Sequence, residues 1–86
     1  MSTHEESFSY EERFEAAVAK QITVELVEKD MTQKELADAL GMERATLNRY
    51  LNGKRSMPMP VFFRVAEILG LPAQELLSRA ADRLSD

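Results

Sequence analysis

The sequence predicts an all-α protein, a compact five-helix bundle with a helix-turn-helix inside it. Apolar residues recur at helical spacing along most of the chain, two S/T-x-x-E capping boxes mark helix starts, and glycines stand where helical patterns stop. A chain of 86 residues has room for one modest core. We therefore expect a single domain over 1–86, in which the polar, non-periodic residues 1–8 are flexible.

Composition narrows the classes of function. The chain has no cysteine and one histidine, His4, so we expect no metal site and no cofactor. Carboxylates such as Glu11 and Glu15 lie one turn apart, but no pocket-forming pattern accompanies them, and we expect no enzyme. The acidic N-terminus and the lack of a long apolar run argue against a signal peptide and a membrane span, which predicts a cytoplasmic protein.

The first helix is predicted to begin at a capping box of Ser9 and Glu12, whose side chains satisfy backbone N–H groups of the first turn. We expect it to end near Lys29 or Asp30. Apolar residues recur every four positions, at Phe14, Val18, Ile22 and Leu26. The pattern places four glutamates off this stripe: Glu11, Glu15, Glu25 and Glu28.

A second capping box, Thr32 with Glu35, predicts a helix over about 33–40. Met31 and Leu36 flank it at the positions of a hydrophobic staple, and Gly41 follows where a left-handed C-cap favours a residue without Cβ. A helix this short is marginal alone, so packing against neighbours must hold it.

The helical period restarts within three residues and predicts a third helix over about 43–51, closed by Asn52 and Gly53. On a helical wheel, the apolar residues Leu47, Tyr50 and Leu51 share one arc. The opposite arc is mostly polar and contains Arg44, Ala45, Asn48, Arg49 and Asn52. One face is therefore expected to pack and the other to be presented to a partner or to solvent.

Two further helices complete the bundle. Gly70 ends the fourth, and Pro58 and Pro60 are tolerated in its first turn because N–H groups there lack intrahelical partners. Pro72 opens the fifth. The apolar stripe of the fourth helix is Phe62, Val65, Ala66 and Leu69, and that of the fifth is Leu76, Leu77, Ala80, Ala81 and Leu84.

Charge is unevenly distributed. The net charge is −4, which by itself argues against a nucleic-acid partner. Over 43–56, however, four basic residues oppose Glu43 alone and give a local net charge of +3: Arg44, Arg49, Lys54 and Arg55. The third helix and the loop after it form the most basic part of the chain.

The presented face of the third helix carries residue types that read DNA base edges. Arginine can bond guanine bidentately, asparagine can pair with adenine, and the alanine methyl can meet the thymine methyl. The alternative is an ordinary amphipathic helix with a solvated polar face.

The stretch QKELADALGMERATLNRYLNGKRS resembles the helix-turn-helix of the lambda-repressor/Cro-like (XRE-like) family of bacterial and phage regulators. Leu36, Ala37, Leu40, Gly41, Met42, Leu47 and Tyr50 stand where that motif requires them. FRVAEILGLPAQELL is similar to the fourth and fifth helices of the family, so the resemblance covers about 24–77.

The resemblance implies roles for individual residues. Gln33, which opens the second helix, would contact the DNA backbone and brace the first contact of the recognition helix, and that helix would enter the major groove. Arg44, Ala45, Asn48 and Arg49 would read bases. Asn52, Lys54 and Arg55 would contact phosphates, which sets register without reading sequence. Thr46, at the border of the two arcs of the helical wheel, is a further candidate for a phosphate contact.

Two residues depart from the family pattern. Glu43 stands where the family often has a serine N-cap; glutamate is a poor cap, and it either favours the helix dipole or accepts a hydrogen bond from a cytosine amino group. Pro58 and Pro60 replace the usual polar cap of the fourth helix and its neighbour, which should stiffen the loop that carries Lys54 and Arg55.

The predicted function is a transcriptional regulator, a repressor on an inverted-repeat operator, encoded by a bacterium or phage and nucleoid-associated when bound. Such proteins usually pair on two half-sites, so we expect a homodimer. The favoured surface is the fifth helix around Leu76, Ala80 and Leu84, and the second is the first helix with Phe8 and Tyr10. The alternative is an antitoxin-like module that holds a protein partner and autoregulates its operon.

Overall fold

The computed structural model describes residues 9–85, and all regular structure in this range is helical. The helices are α1 (Tyr10–Glu28), α2 (Gln33–Leu40), α3 (Arg44–Leu51), α4 (Met59–Leu69) and α5 (Ala73–Leu84). The predicted all-α, five-helix fold is confirmed. His4 and Phe8 lie outside the described residues. No helix within 9–85 is both long and apolar enough to cross a membrane.

Both predicted capping boxes form. At the start of α1, Ser9 N donates to Glu12 Oε1 and Glu12 N donates to Ser9 Oγ, each at 3.0 Å. At the start of α2, Thr32 N donates to Glu35 Oε1 at 2.8 Å and Glu35 N donates to Thr32 Oγ1 at 3.0 Å. These reciprocal bonds satisfy N–H groups that the helices leave unpaired, which explains why both helices begin there.

One residue from each helix is fully buried at the centre of the core. Ile22, Leu36, Leu47, Val65 and Leu76 each have 0% of their surface exposed. Four of them belong to the apolar stripes predicted for their helices, and Leu36 is the residue predicted for the hydrophobic staple of α2. The short helices α2 and α3 are therefore held by packing rather than by their own helical propensity.

Helices α1 and α5 pack in antiparallel directions, and one prediction fails at their contact. Glu25, placed off the apolar stripe by the pattern, is only 2% exposed. Its Oε2 accepts hydrogen bonds from Arg79 Nη1 at 2.6 Å and from Gln21 Nε2 at 2.8 Å. Arg83 Nε then donates to Gln21 Oε1 at 2.7 Å. A carboxylate can be buried here because α5 brings a cation to it.

These partners also set the pKa of Glu25. Burial alone raises the pKa of a carboxyl group, because it disfavours the charged form. The hydrogen bonds from Arg79 and Gln21, together with the positive charge of Arg79, outweigh burial and lower the pKa of Glu25 below its ordinary value. Glu25 is therefore ionised at neutral pH, and its charge belongs to the contact between α1 and α5.

The fifth helix does not offer the dimer surface that the sequence suggested. Leu76 and Ala80 both have 0% exposure, and Leu84 is half-buried. The long helix α1 covers this stripe within one molecule, so the stripe closes the core of the protomer. Leu76 and Ala80 are therefore not available to a second copy, and of the expected dimer surface only Leu84 remains partly exposed.

Candidate nucleic-acid interface

Helices α2 and α3 are joined by a three-residue turn, 41–43, that starts at Gly41. Gly41 has φ of 73°, in the left-handed region that favours glycine. Gly41 N donates to Asp38 O at 3.1 Å and Met42 N donates to Ala37 O at 3.0 Å, which closes the end of α2 as a Schellman motif. The half-buried Met42 anchors the turn. This turn sets the direction in which α3 leaves α2.

Helix α3 has one buried and one exposed face, as the helical wheel predicts. Leu47 is 0%, Leu51 8% and Tyr50 9% exposed. The opposite face is exposed and consists of Arg44, Ala45, Asn48, Arg49 and Asn52. Thr46, at the border of the two arcs, is half-buried. The packing of the apolar face thus determines which side chains α3 presents.

A chain of amide side chains links α2 to the exposed face of α3. Asn48 Nδ2 donates to Gln33 Oε1 at 3.3 Å, and Asn52 Nδ2 donates to Asn48 Oδ1 at 3.0 Å. The backbone N–H of Lys54 approaches Asn52 Oδ1 at 3.4 Å. The resemblance assigns a separate role to each of Gln33, Asn48 and Asn52. In the structure they form one hydrogen-bonded unit, which restricts the rotamers of all three.

The loop after α3 is attached at two points. Gly53, with φ of 78°, completes a Schellman motif in which Lys54 N donates to Arg49 O at 3.0 Å and Gly53 N to Tyr50 O at 3.3 Å. Further along, Ser56 Oγ donates to Glu15 Oε1 of α1 at 2.8 Å. The backbone of Lys54 is thus held by the turn, and Arg55 lies next to Ser56, which is bonded to α1.

Four basic side chains occupy this part of the surface: Arg44, Arg49, Lys54 and Arg55. All four are exposed, and none forms an ion pair with a residue in 9–85. Other exposed cations do form such pairs: Lys34 lies 3.0 Å from Asp38 and Arg64 lies 3.8 Å from Glu67. Helix α3 and the loop after it therefore present four positive charges that no carboxylate in 9–85 pairs.

Glu43 is the N-cap of α3 and makes no side-chain capping hydrogen bond. The helix therefore starts at Arg44, one residue later than the predicted start at about 43. The side chain of Glu43 is exposed next to Arg44. Its position agrees with the sequence argument that glutamate caps poorly.

The structure places all nine sequence-predicted site residues on α2, α3 and the loop 52–56. Sequence reasoning missed the bond between Ser56 and Glu15. No local signal marks it, because the two residues are 41 positions apart. Within 9–85, no group of three or more carboxylate or imidazole side chains converges on a point where a metal ion could bind.

A short helix, a tight glycine turn and a second helix with a free polar and basic face define a helix-turn-helix protein. Comparison with known families agrees: residues 25–76, more than half of the chain, match the helix-turn-helix family of lambda-repressor-like (XRE-like) proteins. The chain belongs to this family of DNA-binding regulatory domains, which are not typically enzymes. Comparison with curated proteins gives no match.

Proposed function

We propose that this protein is a sequence-specific transcriptional repressor that binds an inverted-repeat operator through the major groove, without catalysis or cofactor. The observation that carries the proposal is the exposed face of α3, where the basic and amide side chains have no competing ion pairs among the described residues. If this face only contacted solvent, the hydrogen bond from Asn48 to Gln33 that orders its amides would serve no purpose.

The proposed base readers are Arg44, Ala45, Asn48 and Arg49. The two arginines project free guanidinium groups of the type that bonds guanine O6 and N7. Asn48 uses one N–H and one lone pair within the amide chain, so it retains one donor and one acceptor for an adenine edge. Ala45 lies on the same exposed face and offers a methyl group to thymine.

The proposed phosphate contacts are Gln33, Thr46, Asn52, Lys54 and Arg55. Gln33 is the first residue of α2, where backbone N–H groups and the helix dipole favour an anion. Because its Oε1 accepts from Asn48, its Nε2 remains free to donate to a phosphate oxygen. Lys54 and Arg55 follow the Schellman turn and are presented beside the end of α3.

One helix-turn-helix reads few base pairs, so we propose a homodimer on two half-sites about 34 Å apart. Of the two surfaces suggested by the sequence, the α1 surface stays available: Tyr10 is 63% exposed and stacks on Phe14 at 6.2 Å. Phe8, the other residue of that surface, lies outside the described residues. The cytoplasm is the proposed location, because the operator is there.

The test is selection of bound duplexes from a random DNA pool at physiological salt, followed by titration of the enriched sequence against its scramble. We expect an inverted repeat that is bound at least about a thousandfold more tightly than the scramble. Arg49→Ala should reduce this difference by about 1–3 kcal/mol. Lys20→Ala is the matched control, since it also removes one exposed positive charge but lies on α1, outside the proposed DNA contacts.

A folded sample that enriches no sequence would contradict the proposal and favour the antitoxin-like module. The structure offers mixed support for that alternative. An antitoxin-like module should keep an exposed apolar patch around Phe8, Tyr10 and Met57. Tyr10 is exposed, as such a patch requires, but Met57 is half-buried. The alternative predicts a stable protein complex that survives substitution of Arg49 and Lys54.

A further inference from the structure

A cavity of about 370 Å³ opens between α1, the loop after α3 and the start of α4. Its walls are mainly apolar and include Phe14, Val18, Met57, Phe62 and Leu77. Protein interiors have few voids larger than a water molecule, whereas small-molecule sites typically enclose about 300–1,000 Å³. The opening therefore has the size of a ligand site rather than of a packing defect.

The rim of this cavity carries an excess of negative charge. Glu12 and Glu15, one turn apart on α1, face a single cation, Arg55. Each carboxylate has one oxygen already engaged: Glu12 Oε1 accepts from Ser9 N at 3.0 Å and Glu15 Oε1 from Ser56 Oγ at 2.8 Å. The second oxygen of each accepts no hydrogen bond from a residue in 9–85.

From this combination we propose that the cavity binds a small amphipathic cation, an amine with an aromatic or alkyl body. The body displaces water from the apolar walls, and the ammonium group pairs with Glu15 and Glu12 at the rim. An anion of the same shape would meet two carboxylates against one guanidinium and is disfavoured. A neutral molecule would gain only the apolar contacts.

The cavity also adjoins the proposed DNA contacts. Gly53, Arg55 and Ser56 of the loop line it together with Glu15. An ammonium group on Glu15 shares this carboxylate with the hydroxyl of Ser56 and weakens one of the two attachments of the loop. Binding of the ligand and binding of the operator are then coupled, because each lowers the affinity of the protein for the other by the same factor. This coupling, unlike the ligand site itself, rests on the proposed function.

The ligand site is tested without DNA. The full ¹⁵N-labelled chain is titrated with phenylbutylamine, phenylbutanol and phenylbutyrate, which share a body and differ in charge. We expect saturable shifts of amides around Phe14, Ser56 and Met57, with the amine bound at least about tenfold more tightly than the carboxylate. Glu15→Gln should weaken binding of the amine and spare the alcohol. Glu11→Gln, on the same helix but outside the cavity, should change neither.

A second variant separates the cavity from its rim. Ala16 is exposed and lines the cavity, so Ala16→Phe should narrow it and weaken all three ligands without unfolding the chain. The proposal is overturned if none of the three binds saturably, or if phenylbutyrate binds as tightly as the amine. It is also overturned if Ala16→Phe reduces self-association instead, since a second copy would then occupy the cavity.

The coupling is tested by adding phenylbutylamine to the protein bound to its selected operator. We expect the apparent affinity for DNA to fall several-fold, and Glu15→Gln to remove this fall. Unchanged affinity alongside saturable amine binding would refute the coupling and leave the ligand site standing. If no operator is ever selected, the DNA-free titration still decides the ligand site.

Discussion

At the scale of single residues, Arg49 and Lys54 are both exposed and basic but lie in different surroundings. Arg49 is on the presented face of α3, whereas Lys54 follows the turn at its end. Arg49→Ala should weaken operator binding by about 1–3 kcal/mol and relax selectivity at one base pair. Lys54→Ala should weaken every sequence alike and lower the slope of log K against log salt by about one for each protomer bound.

Binding of the selected operator and of single-base variants, measured at several salt concentrations, distinguishes the two effects. The pair of alanine variants serves as its own control, because each removes one positive charge. Equal losses on every DNA for both variants would show that Arg49 grips a phosphate and reads no base.

Glu43 either stabilises the start of α3 through the helix dipole or accepts a hydrogen bond from a cytosine amino group. Two substitutions distinguish these roles. Glu43→Ser should place a hydroxyl at the N-cap of α3 and raise the free energy of unfolding by about 1 kcal/mol relative to Glu43→Ala. The comparison isolates the cap, because both variants remove the carboxylate. Urea unfolding of the two proteins measures it.

The same variants report on recognition. If Glu43 accepts a hydrogen bond from a cytosine amino group, both should lose selectivity at one base pair. If it contributes only through the start of the helix, selectivity stays unchanged. A serine variant no more stable than the alanine variant would mean that the backbone at residue 43 does not admit the capping geometry.

At the scale of whole elements, the contact between α1 and α5 depends on an ionised Glu25. The pKa of this carboxyl is lowered in the folded protein, whereas the unfolded chain should show a value near 4.5. Its stabilising contribution is therefore complete above the unfolded pKa and is lost as pH falls through the folded pKa. The other oxygen, Oε1, is buried without a hydrogen-bond partner among the described residues, which reduces the net gain.

Glu25→Gln should lower the free energy of unfolding by about 1–3 kcal/mol at neutral pH, because it removes the charge that pairs with Arg79. The difference from the wild type should shrink as pH falls below about 4.5. Urea unfolding across this range measures it. Glu28→Gln, an exposed change on the same helix, is the control and should have little effect at any pH. A difference independent of pH would show that the loss comes from packing.

At the scale of the whole molecule, the buried stripe of α5 belongs to the core and not to a subunit contact. Leu76→Ala should lower the free energy of unfolding by about 2–5 kcal/mol, because it leaves a cavity beneath α1. Leu84→Ala, at a half-buried position, should cost less. Unfolding melts and sedimentation at matched concentrations test both. If the Leu76→Ala protein stays fully stable but no longer self-associates, α5 forms the dimer contact after all.

Much of this molecule follows from local patterns in the sequence. The capping boxes of Ser9 and Thr32, the end of α2 at Gly41 and the two faces of α3 depend on residues at most a few positions apart. Capping, glycine conformation and helical periodicity act over that same range. The five helices and the exposed polar face of α3 were therefore predictable before any fold was known.

The tertiary structure alone decided the features that join distant residues. Glu25 is buried because Arg79, 54 positions later, compensates its charge. Leu76 is covered because α5 packs on α1, and an amphipathic stripe looks the same whether its own chain or a second copy covers it. Hydrogen bonds link Asn48 to Gln33 and Ser56 to Glu15 for the same reason. Local sequence determines which face of a helix is apolar, and only the packed structure determines what that face meets.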